Sequence, residues 1–123
     1  MARRLLLVDD DDAIREIARI SLERVGGWGV VAAASGEAAL EIVAAGGLFD
    51  LVVLDVMMPG IDGPATLERL RQVLPPHVPV IFLTAKLQAA DRARLLGLGA
   101  VGVIAKPFDP MALAAEIDGI LGA

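Results

Sequence analysis

The sequence has no cysteine and no tyrosine, and it contains one tryptophan and three phenylalanines among 123 residues. The absence of cysteine excludes disulfides, thiolate catalysis and cysteine-ligated zinc. Few aromatic rings and a net charge of −5 leave little stacking surface and no broad basic patch, the features on which nucleic-acid binding depends. We therefore expect no direct contact with nucleic acid.

Long apolar runs are also absent, although hydrophobic residues make up 56% of the chain. No stretch reaches the ~18 uninterrupted apolar residues of a membrane span. The apolar segment Leu5–Val8 is followed at once by four aspartates, which is unlike the apolar region of a signal peptide. The length suits one ordinary domain with its own core. We expect a cytoplasmic protein without membrane contact, forming a single domain over residues 1–123, with no effector domain in this chain.

Apolar runs alternate with amphipathic segments along the chain. The runs predict five strands, and the segments after them carry apolar residues at helical spacing. The predicted strands are residues 5–8, 30–32, 51–54, 78–83 and 101–105, and the predicted helices are residues 13–25, 36–45 after a Ser35 cap, 64–74, 88–96 and a last helix opened by Asp109 and Pro110. Five such units predict an α/β fold with a doubly wound parallel sheet.

Polar side chains stand where the predicted strands end: Asp9 and Asp10 after the first, Asp55 after the third, Thr84 after the fourth and Lys106 after the fifth. Ligands bind outside the carboxyl ends of open parallel sheets, so these five residues, called the rim below, are expected to converge. Three adjacent carboxylates repel one another unless a cation lies among them. Oxygen ligands favour a hard ion such as Mg²⁺, with Mn²⁺ as a substitute. The set suits phosphoryl transfer to an aspartate.

Five motifs in register strengthen this interpretation. They are LLLVDDD at the first strand, DLVVLDVMMPGIDG around Asp55, LTA around Thr84, GA before the last strand and KPF after it. In order and spacing the chain resembles the receiver domain of response regulators in two-component signalling, including chemotaxis regulators. The resemblance implies a flavodoxin-like (βα)5 fold with strand order 2-1-3-4-5.

The resemblance also implies roles for individual residues. Asp55 is the phosphoacceptor, and Mg²⁺ is held by Asp9, Asp10, Asp55 and the backbone carbonyl of Met57. Thr84 contacts the phosphoryl group and moves on phosphorylation. Lys106 pairs with that group, or with unmodified Asp55, and the Lys106–Pro107 peptide is expected to be cis.

The implied function is a phosphorylation switch and not an enzyme acting on other substrates. A histidine kinase or a histidine phosphotransfer protein donates the phosphoryl group, and the face of helix 4, strand 5 and helix 5 binds a downstream protein. Dimerisation on phosphorylation, and whether the chain is a stand-alone protein or an excised receiver, stay open.

Two positions shape how such a switch would work. Val103 stands where the family often has an aromatic reporter residue, so we expect the signal to depend on Thr84 and on the loop between strand 4 and helix 4. Apolar Met57, which with Lys86 flanks the path of the hydrolytic water in the family, offers that water no hydrogen bond. We therefore predict slow self-dephosphorylation.

Other interpretations were weighed against this one. A constitutive interaction domain with the same fold would be expected to lack part of the rim. An aspartate-nucleophile phosphatase usually needs an acid or base two residues after the nucleophile, where this chain has Met57. Asp11 and Asp12 are interpreted as a solvated turn, of which either can cap the following helix. His77 is expected in an exposed loop and Trp28 in packing over the sheet edge.

Overall fold

The computed structural model describes residues 3–122. Strands and helices alternate along this part of the chain, as the sequence predicts. The strands are β1 (Arg4–Val8), β2 (Gly29–Ala33), β3 (Leu51–Asp55), β4 (Val80–Thr84) and β5 (Gly102–Ala105). The helices are α1 (Asp12–Arg24), α2 (Gly36–Ala44), α3 (Gly63–Leu70), α4 (Ala89–Gly97) and α5 (Leu113–Leu121).

All five strands form one parallel sheet in the order β2-β1-β3-β4-β5, which confirms the predicted fold class and strand order. In the register, Val8 of β1 pairs with Leu54 of β3, and Asp55 pairs with Leu83 of β4. The carboxyl ends of β1, β3, β4 and β5 therefore lie side by side, and each delivers its polar residue to one edge.

Each face of the sheet packs against its own set of helices. The face that includes Leu6, Leu54 and Phe82 packs against α2, α3 and α4, while the opposite face, with Leu7 and Leu83, packs against α1 and α5. The central strands β3 and β4 are buried along their whole length, because helices cover both faces of a parallel sheet. Within the described residues, no helix has the length and apolar character of a membrane span.

Two predicted helix boundaries were wrong. α3 was expected to reach about residue 74, but it ends at Leu70, where short-range bonds from the amides of Gln72 and Val73 tighten the chain into a turn. Arg71 holds this turn against the sheet by donating to the carbonyls of Val78 and Gly99.

The last helix begins later than predicted. The Asp109 carboxylate accepts the Met111 amide, and its carbonyl accepts the amides of Ala112 and Leu113. These bonds close a turn over residues 109–112, so α5 itself starts at Leu113. Asp109 therefore organises the entry to the helix without being its first residue, because its side chain competes for backbone amides in a turn.

Candidate functional site

The loop between β1 and α1 places the first two rim carboxylates. Asp9 is fully buried, and its amide donates to the carbonyl of Ala33. Its Oδ1 accepts the Asp11 amide at 2.9 Å. Asp11 in turn caps α1 by accepting the Ile14 amide at 3.0 Å, so of the two predicted candidates Asp11 is the cap. Asp10, between them, is exposed.

Asp55 ends the buried strand β3 and is itself 4% exposed. The chain then turns into α3, which begins at Gly63 after an Asp62 cap. The Gly63 amide donates to the carbonyl of Val56 at 2.8 Å, so the start of α3 closes directly over the acceptor strand. This turn leaves the Asp55 carboxylate at the carboxyl edge of the sheet.

Lys106 joins two of the carboxylates. Its Nζ lies 3.0 Å from Oδ2 of Asp9 and 3.1 Å from Oδ1 of Asp55. The lysine side chain is 12% exposed, so both ion pairs are largely shielded from water. The Lys106–Pro107 peptide is cis, which confirms the prediction. The sequence-based pairing of Lys106 with Asp55 is found, and the second pairing with Asp9 is an addition.

In this cluster, several carboxylates lie close together and Lys106 is the positively charged group that pairs with them. Burial, together with the charge of Asp9, raises the pKa of Asp55 to about 6, even though Lys106 acts in the opposite direction. Burial also opposes the charge on Lys106, but its hydrogen bonds and attraction to Asp9 and Asp55 outweigh burial and raise the pKa of Lys106. One lysine therefore does not neutralise the carboxylates around it.

A divalent cation fits this arrangement. One carboxylate oxygen from each of Asp9, Asp10 and Asp55 lies within 4.8 Å of the others. Both oxygens of Asp9 already accept hydrogen bonds, so Asp10 and Asp55 offer the less committed oxygens. Mg²⁺ usually binds one or two carboxylates and completes its coordination shell with water and phosphate oxygens. Met57 follows in the loop after β3 with its side chain 71% exposed, and its carbonyl as a ligand stays a prediction.

Thr84 ends β4 beside the cluster and is 4% exposed. Its Oγ1 accepts the Lys86 amide at 3.0 Å and donates to the Lys86 carbonyl at 3.1 Å. The hydroxyl is thus engaged with the loop between β4 and α4. Val103 of β5 is buried in the core, as a small apolar residue in a covered strand should be.

Residues that we set aside lie where expected. His77 is exposed in the loop before β4, and Trp28 is buried at the edge of the sheet with the Arg3 guanidinium 4.0 Å from its ring centre.

One residue that contacts the site was not predicted from the sequence. Arg15 of α1, which is not among the predicted rim residues, donates to the carbonyl of Asp9. Its spacing from Asp12 predicts a local ion pair but not this second bond.

The fold and the rim together define a class: a doubly wound α/β domain whose carboxyl edge holds three clustered carboxylates, two of them paired with a lysine. Residues 5–118 match the family described as response regulator receiver domain. The chain belongs to this family, which confirms the resemblance drawn from its motifs.

Individual relatives agree with this assignment. The chain is 43% identical over 119 residues to a probable transcriptional regulator, ycf27, of Cyanophora paradoxa, and 40% identical over 117 residues to the transcriptional regulatory protein CseB of Streptomyces avermitilis. These matches cover 97% and 95% of this chain but 48% of each relative. The chain thus spans about half the length of the curated relatives that it matches.

Solved structures match over nearly the full length of both chains. A putative response regulator from Chloroflexus aurantiacus superposes with a TM-score of 0.85 at 37% identity, covering 100% of each chain. The chemotaxis protein CheY4 of Vibrio cholerae gives a TM-score of 0.87 at 28% identity, covering 98% of this chain and 99% of its own.

Proposed function

We propose that Asp55 accepts a phosphoryl group from a phosphohistidine in the presence of Mg²⁺, and that this modification switches a protein-binding surface. The observation that carries the proposal is the convergence of the Asp9, Asp10 and Asp55 carboxylates, two of which, Asp9 and Asp55, pair with the amino group of Lys106. A buried acceptor beside a cation site and a fixed ammonium group has the parts that phosphoryl transfer needs. The two-component family of the chain supports the choice of donor.

In this reaction, an Asp55 carboxylate oxygen forms a bond to phosphorus as the nitrogen–phosphorus bond of the donor breaks. The imidazole leaves with the electron pair of that bond. Bound Mg²⁺ supplies charge neutralisation to the phosphoryl oxygens, with Asp10 and Asp55 as the carboxylates best placed to hold it. Lys106, already 3.1 Å from Asp55, needs only a small shift to pair with a phosphoryl oxygen.

Thr84 links the modification to the surface. To donate to a phosphoryl oxygen, its hydroxyl has to give up its bond to the Lys86 carbonyl. The loop between β4 and α4 then loses a restraint next to exposed Leu87. We propose that this loop carries the signal, since buried Val103 has no ring to reorient.

The downstream partner is proposed to bind at the α4–β5–α5 face. Leu96, Leu98 and Val101, which lie on α4 and its connection to β5, are 38%, 47% and 47% exposed. A partner that covers them gains apolar burial. Because the named relatives are transcriptional regulators about twice as long, the output of this chain is proposed to reach a DNA-binding partner or domain indirectly.

The direct test uses acetyl phosphate as a small phosphoryl donor. Incubation with Mg²⁺ should add a single phosphoryl group to the intact protein by mass spectrometry, and omission of the metal or the change Asp55→Asn should prevent it. Asp62→Asn is the matched control, because Asp62 is an exposed cap of α3 and asparagine caps equally well. An unmodified wild type, or an adduct that persists in Asp55→Asn, would refute the proposal.

A further inference from the structure

Arg15 holds the peptide group that joins the two aspartates of the first loop. Its Nη1 donates to the carbonyl oxygen of Asp9 at 2.8 Å, and its Nη2 bonds the carboxylate of Asp12 at 2.6 Å. The arginine side chain is 20% exposed, whereas Asp12 is 90% exposed. The guanidinium therefore lies inward over the loop, with Asp12 holding it from the solvent side.

The Asp9 carbonyl that Arg15 bonds belongs to the peptide group that orients Asp10. Asp9 is the first residue after β1, and its amide is the last in this loop to bond the neighbouring strand, at Ala33. Its carbonyl and the amide of Asp10 form one rigid peptide plane. Rotation of that plane would move the Asp10 carboxylate relative to those of Asp9 and Asp55.

We propose that Arg15 is a positioning residue for the divalent cation: by fixing the Asp9–Asp10 peptide, it sets the direction of the Asp10 carboxylate. The inference rests on the proposed function, since it assumes that the rim binds a cation. Groups that orient metal ligands from outside the coordination shell commonly change metal affinity by about 10–100-fold when they are removed.

The charge of Arg15 and its positioning of the Asp10 carboxylate predict opposite changes in Mg²⁺ affinity when Arg15 is removed, so one measurement distinguishes them. Arg15 is a permanent cation in contact with Asp9, so its charge alone should weaken the binding of another cation. If charge dominated, loss of Arg15 would tighten Mg²⁺ binding. If positioning dominates, as we infer, loss of Arg15 weakens it.

The test measures Mg²⁺ affinity by calorimetric titration of the phosphate-free protein, at a temperature where every variant is folded. For Arg15→Gln we expect the Kd to rise by about tenfold. Arg15→Lys keeps the charge and one donor and should recover part of the affinity. Arg19→Gln is the matched control, since Arg19 lies on the same helix but pairs with Glu16 and Glu23. The Kd of this variant should stay within about twofold of wild type, because Arg19 makes no bond to the first loop and its charge is already paired and screened by salt.

A second variant separates positioning from general stability. Asp12→Asn removes the outer ion pair but leaves the bond from Arg15 to Asp9, so its Kd should rise less than that of Arg15→Gln. Unfolding in urea with EDTA reports the stability of each variant without metal. An unchanged or tighter Kd in Arg15→Gln would overturn this inference while leaving the proposed function intact. No Mg²⁺ binding by the wild type would defeat both.

Discussion

The loops on the two sides of Lys106 differ in how firmly they are attached to the domain. On the carboxylate side, meaning residues 9–15 and 55–63, polar groups are tied to neighbouring backbone: Asp11 caps α1, Asp62 caps α3 and Arg15 bonds the Asp9 carbonyl. On the threonine side, meaning residues 84–98, the residue that precedes helix α4, Gln88, makes no side-chain capping bond. The first side is held in place before any ligand binds.

Packing differs in the same direction. Within α4, Leu95 is the buried residue, while Leu96 of the same helix and Leu98, directly after it, are substantially exposed. Segments with little buried apolar surface open at lower free-energy cost than the core of a domain. A switch needs one part of its site to stay fixed and bind, and another to move and report. The carboxylate side suits the first role and the threonine side the second.

The largest expected effect on stability comes from replacing a glycine by alanine on the carboxylate side, compared with the same change on the threonine side. A Cβ on Gly63 would lie 2.8 Å from the Cα of Val56 and still closer to the Asp55 carbonyl oxygen, both of which are backbone atoms that cannot step aside. Gly63→Ala should therefore lower the free energy of unfolding in urea by about 1–3 kcal/mol. It should also weaken Mg²⁺ binding, because β3 and α3 must separate.

Gly97→Ala is the matched change on the threonine side. Nothing lies within 4 Å of a Cβ at this helical position. Alanine there should raise the free energy of unfolding by about 0.4–1 kcal/mol, because it restricts the unfolded chain. Equal effects of the two substitutions, in either direction, would contradict the proposed difference between the sides.

An intermediate effect is expected from pH in the metal-free protein. Because the pKa of Asp55 is raised to about 6 in the folded state, folding takes up a proton between that value and the lower pKa of the unfolded chain. The contribution of Asp55 to stability is thus present at low pH and is lost as pH rises through about 6. In EDTA, Asp55→Asn should be more stable than wild type by about 1–2 kcal/mol near neutrality.

The same comparison contains its own controls. The gain from Asp55→Asn should shrink toward roughly pH 4, where the wild-type carboxyl is also neutral. It should also shrink on addition of Mg²⁺, which favours the ionised acid. Urea unfolding over this pH range checks both. If the difference in free energy of unfolding between the two proteins does not vary with pH, the pKa of Asp55 is not raised in the folded state.

Much of this molecule could be predicted from its sequence because the signals were local. Apolar runs such as residues 51–54 end directly at a polar residue, and a parallel sheet brings those ends together whatever the loops between them do. The order of elements and the convergence of Asp9, Asp55 and Lys106 follow from that rule.

The features that could not be predicted have two causes. Some depend on contacts between residues that are distant in sequence, and others on a side chain that competes with the helix for backbone amides. The turn that delays α5 arises because Asp109 bonds nearby amides as readily as a helix would. The second pairing of Lys106, with Asp9, depends on the side chain reaching from the end of β5 past β4 and β3 to the end of β1. The contact of Arg15 with the first loop could not be predicted, because it is made to a backbone carbonyl, a group that every residue has.

The smallest expected effect concerns water at the border between the two sides. Met57 and Lys86 line a cleft of about 220 Å³ with Thr84, next to the acceptor. If water reaches the aspartyl phosphate through this cleft, a side chain that can hold it should speed hydrolysis. Met57→Gln adds one hydrogen-bonding group, worth about 0.5–1.5 kcal/mol, so phosphoryl loss should accelerate by up to about tenfold.

Met111→Gln provides the control for this change. Met111 is as exposed as Met57, at 74% against 71%, but it lies in the turn before α5. The decay of the phosphorylated species, followed by intact mass after removal of the donor, should therefore match wild type. Equal acceleration in both variants would mean that the effect comes from surface polarity and not from water held beside Asp55. Decay of phosphorylated Met57→Gln as slow as that of the wild type would show that the hydrolytic water takes another path.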